Sequence, residues 1–450
     1  MEITMSSVGE QCRIQILELT DKGDGVGRAE GIPVYVEGAL PGEEVEIALT
    51  LVKPNYMHGR LEQVVTASPD RVPDFCPHTE CGGCQVRPLA YPAQLEAKRE
   101  LVRAALTRQG LTTAVAPVLG MTDPFAWRNK AQFAVRAGAE GAEIGFYRKH
   151  SHTLVACDDC AVQDPLHGVL LARLRRWMRE HQVRPYDEAN HEGDLRHVMT
   201  RKGFASGEWM LVLVTRTETL PAEAELLAAL EGLPITTLVH NIHAEPGNRV
   251  LGPSNRVLSG EGIITDRLHD LEFVISPLSF YQVNPVQTDT LYGKALEFAA
   301  LTGSETVFDL YCGIGTISLF LARQAARVIG IELVPEAIED ARRNAERNGI
   351  GHAEFHVGKA EEKVAELYRA GERADVVVVD PPRKGCDKAL LETLVAMAPE
   401  RLVYVSCNPQ SLARDLAWLT ARGFVLEAVQ PVDMFPHTLH VEAVARLRRA

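Results

Sequence analysis

From about residue 303 the sequence keeps one rhythm. TVFDLY, RVIGIEL, AEFHV, ADVVVVD and RLVYVS are short apolar runs, and each is followed by a stretch with helical spacing. Runs of Val and Ile without polar alternation need cover on both faces, and a helix after each run supplies it. The rhythm therefore predicts a doubly wound α/β domain built on a parallel sheet. Two further strand patterns, FVLEAVQPV and HVEAVARL, end the chain with no clear helix between them. Sheets of this kind bind ligands beyond the carboxyl ends of their strands. The residues that end these runs are thus the first candidates for chemistry.

The first run ends in Asp309-Leu-Tyr-Cys-Gly-Ile-Gly-Thr316, a glycine-rich turn that opens a helix and lets backbone approach a ligand closely. Glu332 ends the next run about twenty residues on, where a carboxylate can take a ribose diol. Ser318 stands where a dinucleotide fingerprint has its third glycine. That weakens a nicotinamide or flavin reading and leaves room for a methyltransferase using S-adenosylmethionine. The fourth run ends in Val377-Val-Val-Asp-Pro-Pro-Arg-Lys-Gly385, which fixes Asp380 at the same edge before two stiffening prolines. Cys407 follows the fifth run. Position alone favours packing for a free cysteine, but sharing an edge with the glycine turn, Glu332 and Asp380 favours a nucleophile. A thiolate suits attack on an electron-poor carbon such as C6 of a pyrimidine. Addition at C6 makes C5 nucleophilic enough to take a sulfonium methyl, and a base must then remove the C5 proton. Glu442, at the last strand, is the candidate base.

Upstream, residues 12 to 66 hold the short strands CRIQILEL, IPVYVEGAL, EEVEIALTLV and GRLEQVV around glycine turns such as Lys22 to Arg28, which predicts a small β-barrel. The stretch YPAQLEAKRELVRAALTRQG reads as a helix with Leu95, Val102, Ala105 and Leu106 on its apolar stripe. Residues 120 to 275 read as mixed and strand-rich, with one good helix from Leu166 to His181. A net charge of -13 argues against a surface coated in basic residues, though not against a local basic groove. No apolar run reaches spanning length and the start carries no secretory signal, so a cytoplasmic protein is expected, with its nine cysteines reduced unless they hold a metal.

Three of those cysteines are close together in Cys76-Pro-His-Thr-Glu-Cys81-Gly-Gly-Cys84, and Cys157-Asp-Asp-Cys160 can supply a fourth ligand. Four thiolates fit zinc or an iron-sulfur cluster, and the spacing does not choose between them. Cys12, Cys312 and Cys386 read as small packing residues.

In chain order, FYQVNP, DLYCGIGT, GIE, VVVDPPRKG, VYVSCNP and HTLHVEAV resemble the motifs of the RNA 5-methyluridine methyltransferase family, over nearly the whole chain. The resemblance implies a class I methyltransferase fold, with Cys407 as nucleophile and Glu442 as proton acceptor. It implies S-adenosylmethionine contacts at Gln282, Tyr311, Glu332 and Asp380, and places Phe280 beside the target uracil. It also chooses a [4Fe-4S] cluster on Cys76, Cys81, Cys84 and Cys160. This sequence departs from the family there, with one residue fewer between the first two ligands and Cys157 as an extra candidate. The barrel resembles the family's RNA-binding TRAM module. It is rich in Glu, so any RNA contact should lean on Lys22, Arg28, Lys53, Tyr56 and Arg60.

Three domains are expected: the barrel at 1–67, a central iron-sulfur domain at 68–275 and the methyltransferase domain at 276–450. The expected partner of this chain, a monomer without membrane attachment, is 23S ribosomal RNA, because barrel and cluster together resemble the ribosomal enzymes. A tRNA uridine is the alternative substrate. Two readings of other kinds are an RNA-binding iron-sulfur sensor without catalysis and an N-methyltransferase using DPPR, which has no need of Cys407.

Overall fold

A computed structural model describes residues 7–149 and 151–450. Strands β1 (Gln11–Leu19), β2 (Asp24–Ala29), β3 (Ile32–Glu37), β4 (Glu44–Val52) and β5 (Met57–Thr66) close into a barrel in the order β1-β2-β3-β5-β4. Alternate residues Ile14, Ile16, Val34, Val36, Val45 and Ile47 fill its interior. The glycine-rich stretch that reads as a turn in sequence contains all of β2 but its last residue, Ala29. A side chain at Gly27 would bring its Cβ within 2.6 Å of the Gln15 carbonyl, so the glycine permits a close strand crossing.

Helix α1 (Tyr91–Arg108) follows the Pro- and Cys-rich stretch. Val102, Ala105 and Leu106 are buried as the stripe predicts, but Leu95 is only half-buried while Gln94 and Lys98 are buried. Polar partners from residues 433–437 cover that end of the helix. They satisfy Gln94 and Lys98, which periodicity alone would place in solvent.

The central sheet comprises β6 (Lys130–Gly138), β7 (Gly141–Tyr147), β8 (Leu154–Ala156), β9 (Leu195–Lys202), β10 (Trp209–Thr215), β11 (Thr237–Ile242) and β12 (Ser254–Ser259). Its order is β12-β11-β10-β9-β6-β7-β8. The expected helix is α2 (Leu166–Glu180), and a second, α3 (Glu223–Leu230), joins it on one face over Phe133, Val135, Leu211 and Leu213. An eight-residue apolar helix carries too little periodicity to be told from a strand. Met199, Met210, Val212 and Val239 leave the opposite face to join the core of the last third.

That last third begins with the hairpin β13 (Ile264–Leu268) and β14 (Leu271–Ile275), then α4 (Pro285–Ala299). There follow β15 (Thr306–Leu310), α5 (Thr316–Ala322), β16 (Arg327–Glu332), α6 (Pro335–Arg347), β17 (Ala353–Val357), α7 (Ala360–Arg369), β18 (Val376–Val379), α8 (Lys388–Met397), β19 (Arg401–Ser406) and α9 (Pro409–Thr420). The last two strands are β20 (Phe424–Val432) and β21 (Glu442–Arg449). The sheet order is β17-β16-β15-β18-β19-β21-β20, with β21 antiparallel between β19 and β20. An antiparallel strand starts where its parallel neighbours end, which brings Glu442 to the ligand edge. Among the described residues no helix is long and apolar enough to cross a membrane.

Candidate active site

The glycine turn after β15 puts Tyr311, Gly313 and Gly315 at positive φ, and Gly315 opens α5. The Gly313 amide donates to Glu332 at 3.2 Å, and the other Glu332 oxygen accepts from Val334 at 3.0 Å. Glu332 is thus held at the end of β16 by backbone donors. Gln282, Tyr311, Asp380 and Phe280 line one cavity with Tyr281, Tyr292, Thr316 and the glycine turn. Asn284 caps α4 by accepting from the Gln287 amide at 3.2 Å, and Asn129 donates to the Gln282 carbonyl at 2.9 Å. The loop bearing Phe280 and Gln282 is fixed at both sides.

Asp309, one turn below, was not singled out by its motif. It is fully buried, accepts from the Ser318 hydroxyl, and leaves its other oxygen without a partner. Burial, with Asp380 and Glu332 nearby, pushes its carboxyl up to about 7, and burial pushes Asp380 up to about 7 as well. The serine that replaces the third glycine therefore serves a carboxylate. Asp380 is the carboxyl group that lines the cavity, and a cationic sulfonium cofactor would favour its ionised form.

Ser406 pairs with Ala443 across β19 and β21, and continuing that register sets Cys407 beside Glu442. Asn408 caps α9 by accepting from Gln410 at 3.0 Å and donates to the Arg383 carbonyl at 2.9 Å, which ties the DPPR loop to the cysteine. Burial pushes the Cys407 thiol up to about 11; the carboxyls of Glu442 and Asp380 add to this, and Arg383 opposes it. Burial and Asp380 hold the Glu442 carboxyl well above the usual range, again against Arg383. Cys407, Glu442, Asp380 and Arg383 thus form one electrostatic unit. Arg383 lies within a quoted motif, yet only the tertiary structure shows that it faces both groups.

A cavity of about 370 Å³ opens on Cys407 and gathers all three parts of the chain. The barrel turn contributes Asp21 and Lys22, the cysteine-rich region Gln85 and Lys149, and the catalytic edge Arg383, Asn408 and His440. Of the other barrel candidates, Arg28 donates to Gly31 and Arg60 pairs with Glu62, while Tyr56 packs with Tyr35 and His58.

Cys76, Cys81, Cys84 and Cys160 lie within electrostatic reach of one another. Burial, together with Cys160, Cys81 and Cys76, pushes the Cys84 thiol up to about 12. The Cys157 thiol donates to Cys160, which lowers Cys160 to about 7. Gly82 lets this loop lie against Lys149, where a Cβ would sit 3.0 Å from backbone. Four converging thiols are the right donors for a cluster. Among the described residues, however, no three His, Cys, Asp or Glu side chains are drawn into a metal-holding group. Cys312 and Cys386 are buried among apolar side chains, as packing residues should be.

This sheet order, the cavity at its ligand edge and the N-terminal barrel define a class I S-adenosylmethionine-dependent methyltransferase with an RNA-binding module. A family model described as tRNA (Uracil-5-)-methyltransferase matches residues 264–450, and the TRAM domain matches residues 6–61. An uncharacterized RNA methyltransferase of Halalkalibacterium halodurans is 48% identical over 439 residues, covering 96% of each chain. One of Caldanaerobacter subterraneus is 44% identical, covering 98% of this chain and 99% of the relative. The crystal structure of Pyrococcus abyssi tRNA (uracil-54, C5)-methyltransferase in complex with S-adenosyl-L-homocysteine superposes with a TM-score of 0.79 at 30% identity, over 97% of this chain and 100% of that one. The chain belongs to the RNA uracil-5-methyltransferase family and is an S-adenosylmethionine-dependent enzyme of that kind.

Proposed function

We propose that the enzyme methylates C5 of a uridine in 23S ribosomal RNA, with Cys407 as nucleophile and Glu442 as base. The observation that carries the chemistry is the cavity on Cys407, built jointly by barrel, cysteine-rich region and catalytic edge. A flipped base entering it meets Cys407 beside Glu442. The thiolate adds to C6, and the electron pair moves into the ring to make C5 nucleophilic. C5 then takes the sulfonium methyl of the S-adenosylmethionine that Gln282, Tyr311, Glu332 and Asp380 would hold, as the S–CH3 bond breaks and S-adenosylhomocysteine leaves. Glu442 then takes the C5 proton, and the C6–S bond breaks as Cys407 leaves. Phe280, 69% exposed at the cofactor cavity, offers a ring for the uracil to stack on.

In this reading 1–67 is the RNA-binding barrel, 68–275 carries a [4Fe-4S] cluster on Cys76, Cys81, Cys84 and Cys160, and 276–450 is the catalytic domain. Ribosomal RNA is favoured because barrel and cysteine set occur together. A tRNA uridine is the second reading, supported by the similarity to the Pyrococcus enzyme, whose substrate is tRNA. Incubation with S-adenosylmethionine and 5-fluorouridine-substituted 23S ribosomal RNA should trap a denaturation-resistant adduct, because fluorine blocks loss from C5. Cys407→Ala should abolish it. An adduct with tRNA alone would keep the chemistry and reverse the substrate.

A further inference from the structure

Lys130 and Arg201 stand directly opposite each other across β6 and β9. Opposed residues of an antiparallel pair share a face, and like charges there destabilise the sheet. The face is the one turned away from α2 and α3, since Ala131, Phe133 and Val135 pack on the helix side and Lys130 alternates with them. Arg128 lies two residues earlier. Burial and these two arginines push the Lys130 ammonium down to about 7, and among the described residues no carboxylate offsets them. Arg201 is 4% exposed; it donates to the carbonyls of Pro277 and Ser279, and its Nε has no partner.

Those two carbonyls flank Leu278, on the loop that presents Phe280 to solvent. Asn129, between Arg128 and Lys130 in the chain, holds the same loop through the Gln282 carbonyl and, by its amide, the Val283 carbonyl at 2.8 Å. Three cations thus lie behind the Phe280 loop of an acidic protein. Cys160, its thiol lowered to about 7, offers Arg128 negative charge on its other side. Lys130 has no such counterpart.

We propose that Lys130, backed by Arg201 and Arg128, binds an RNA phosphate next to the uridine that Phe280 receives. This rests on the reading of Phe280 as the uracil's neighbour. A phosphate there relieves the like-charge pair and gives an acceptor to the half-buried Lys130 ammonium. Placing a phosphate fixes the register of the strand without reading its sequence.

The test is anisotropy titration of the full-length protein with a fluorescein-labelled single-stranded oligouridylate over a range of salt. Lys130→Gln should weaken binding roughly threefold to tenfold and flatten the slope of log affinity against log salt by about 0.7, the loss of one single-strand phosphate contact. Lys130→Arg should restore the slope, and Arg176→Gln, on the helix face of the sheet, should match wild type. An unchanged slope in Lys130→Gln, or equal loss in Lys130→Gln and Lys130→Arg, overturns the assignment. The 5-fluorouridine adduct separates the two claims. An adduct with an unchanged slope rejects the phosphate site alone, whereas a flattened slope with no adduct on any RNA rejects the placement of that site beside a target uridine.

Discussion

Lys98 of α1 and Asp433, in the segment leading to Glu442, form an ion pair with both side chains fully buried. Tyr91 donates to the same carboxylate at 2.7 Å, and Lys98 also donates to the Phe435 carbonyl at 3.0 Å. Nearby, Gln94 accepts from the His437 amide at 2.9 Å, and Phe75, next to Cys76, packs 4.5 Å from the His437 ring. The helix between barrel and sheet therefore clamps the approach to the candidate base.

Lys98→Met should strand Asp433 as a buried charge and cost about 3–5 kcal/mol of stability. Urea unfolding measures it. Adding Asp433→Leu should recover part of the loss, whereas additive losses would show that the pair is not coupled.

Adduct formation with 5-fluorouridine RNA should speed up with pH. With the Cys407 thiol near 11, its reactive fraction at pH 7 is on the order of 10⁻⁴ and grows about tenfold per pH unit. Single-turnover rates at saturating RNA should follow that line from pH 7 to 9. Arg383→Gln removes the cation that lowers the thiol, so it should slow adduct formation several-fold, by about the same factor at pH 7 and at pH 9 because both lie well below the thiol's pKa. A flat profile would contradict this account of Cys407.

Asp309 makes a prediction for stability. Its folded pKa is about 7 against an ordinary 3.8, so between these values the unfolded chain binds fewer protons and stability falls as pH rises. Asp309→Asn should remove that decline, matching wild type near pH 4 and exceeding it by roughly 2–4 kcal/mol at pH 8. It should also weaken binding of cationic S-adenosylmethionine more than of neutral S-adenosylhomocysteine, as calorimetry would show.

For the cysteines, anaerobically purified protein should contain about four irons and matching sulfide per chain. Cys84→Ser and Cys160→Ser should each lose them, and Cys157→Ser should keep them. Equal loss in Cys157→Ser would exchange the fourth ligand.

The parallel sheet was legible because its strands are covered on both faces and each ends in a chemically distinct residue: the Gly313 turn, Glu332, Asp380, Cys407. Burial of Gln94 and Lys98 was not legible. Lys98's partner Asp433 and one of Gln94's, His437, lie more than 300 residues away in sequence, and a local period cannot see them. β2 was hidden for a related reason, since a glycine needed for close strand approach looks the same in sequence as one needed for a turn. The sequence by itself determined the strand-end chemistry and the barrel, because both depend on local alternation and on residue types at fixed offsets. Tertiary structure alone decided that Arg383 faces both Cys407 and Glu442, that Asp309 keeps an unpaired buried oxygen, and that Lys130 opposes Arg201. Each of these depends on which strands pair and what solvent the packing excludes, and charge at short range in a dry site acts through space rather than along the chain.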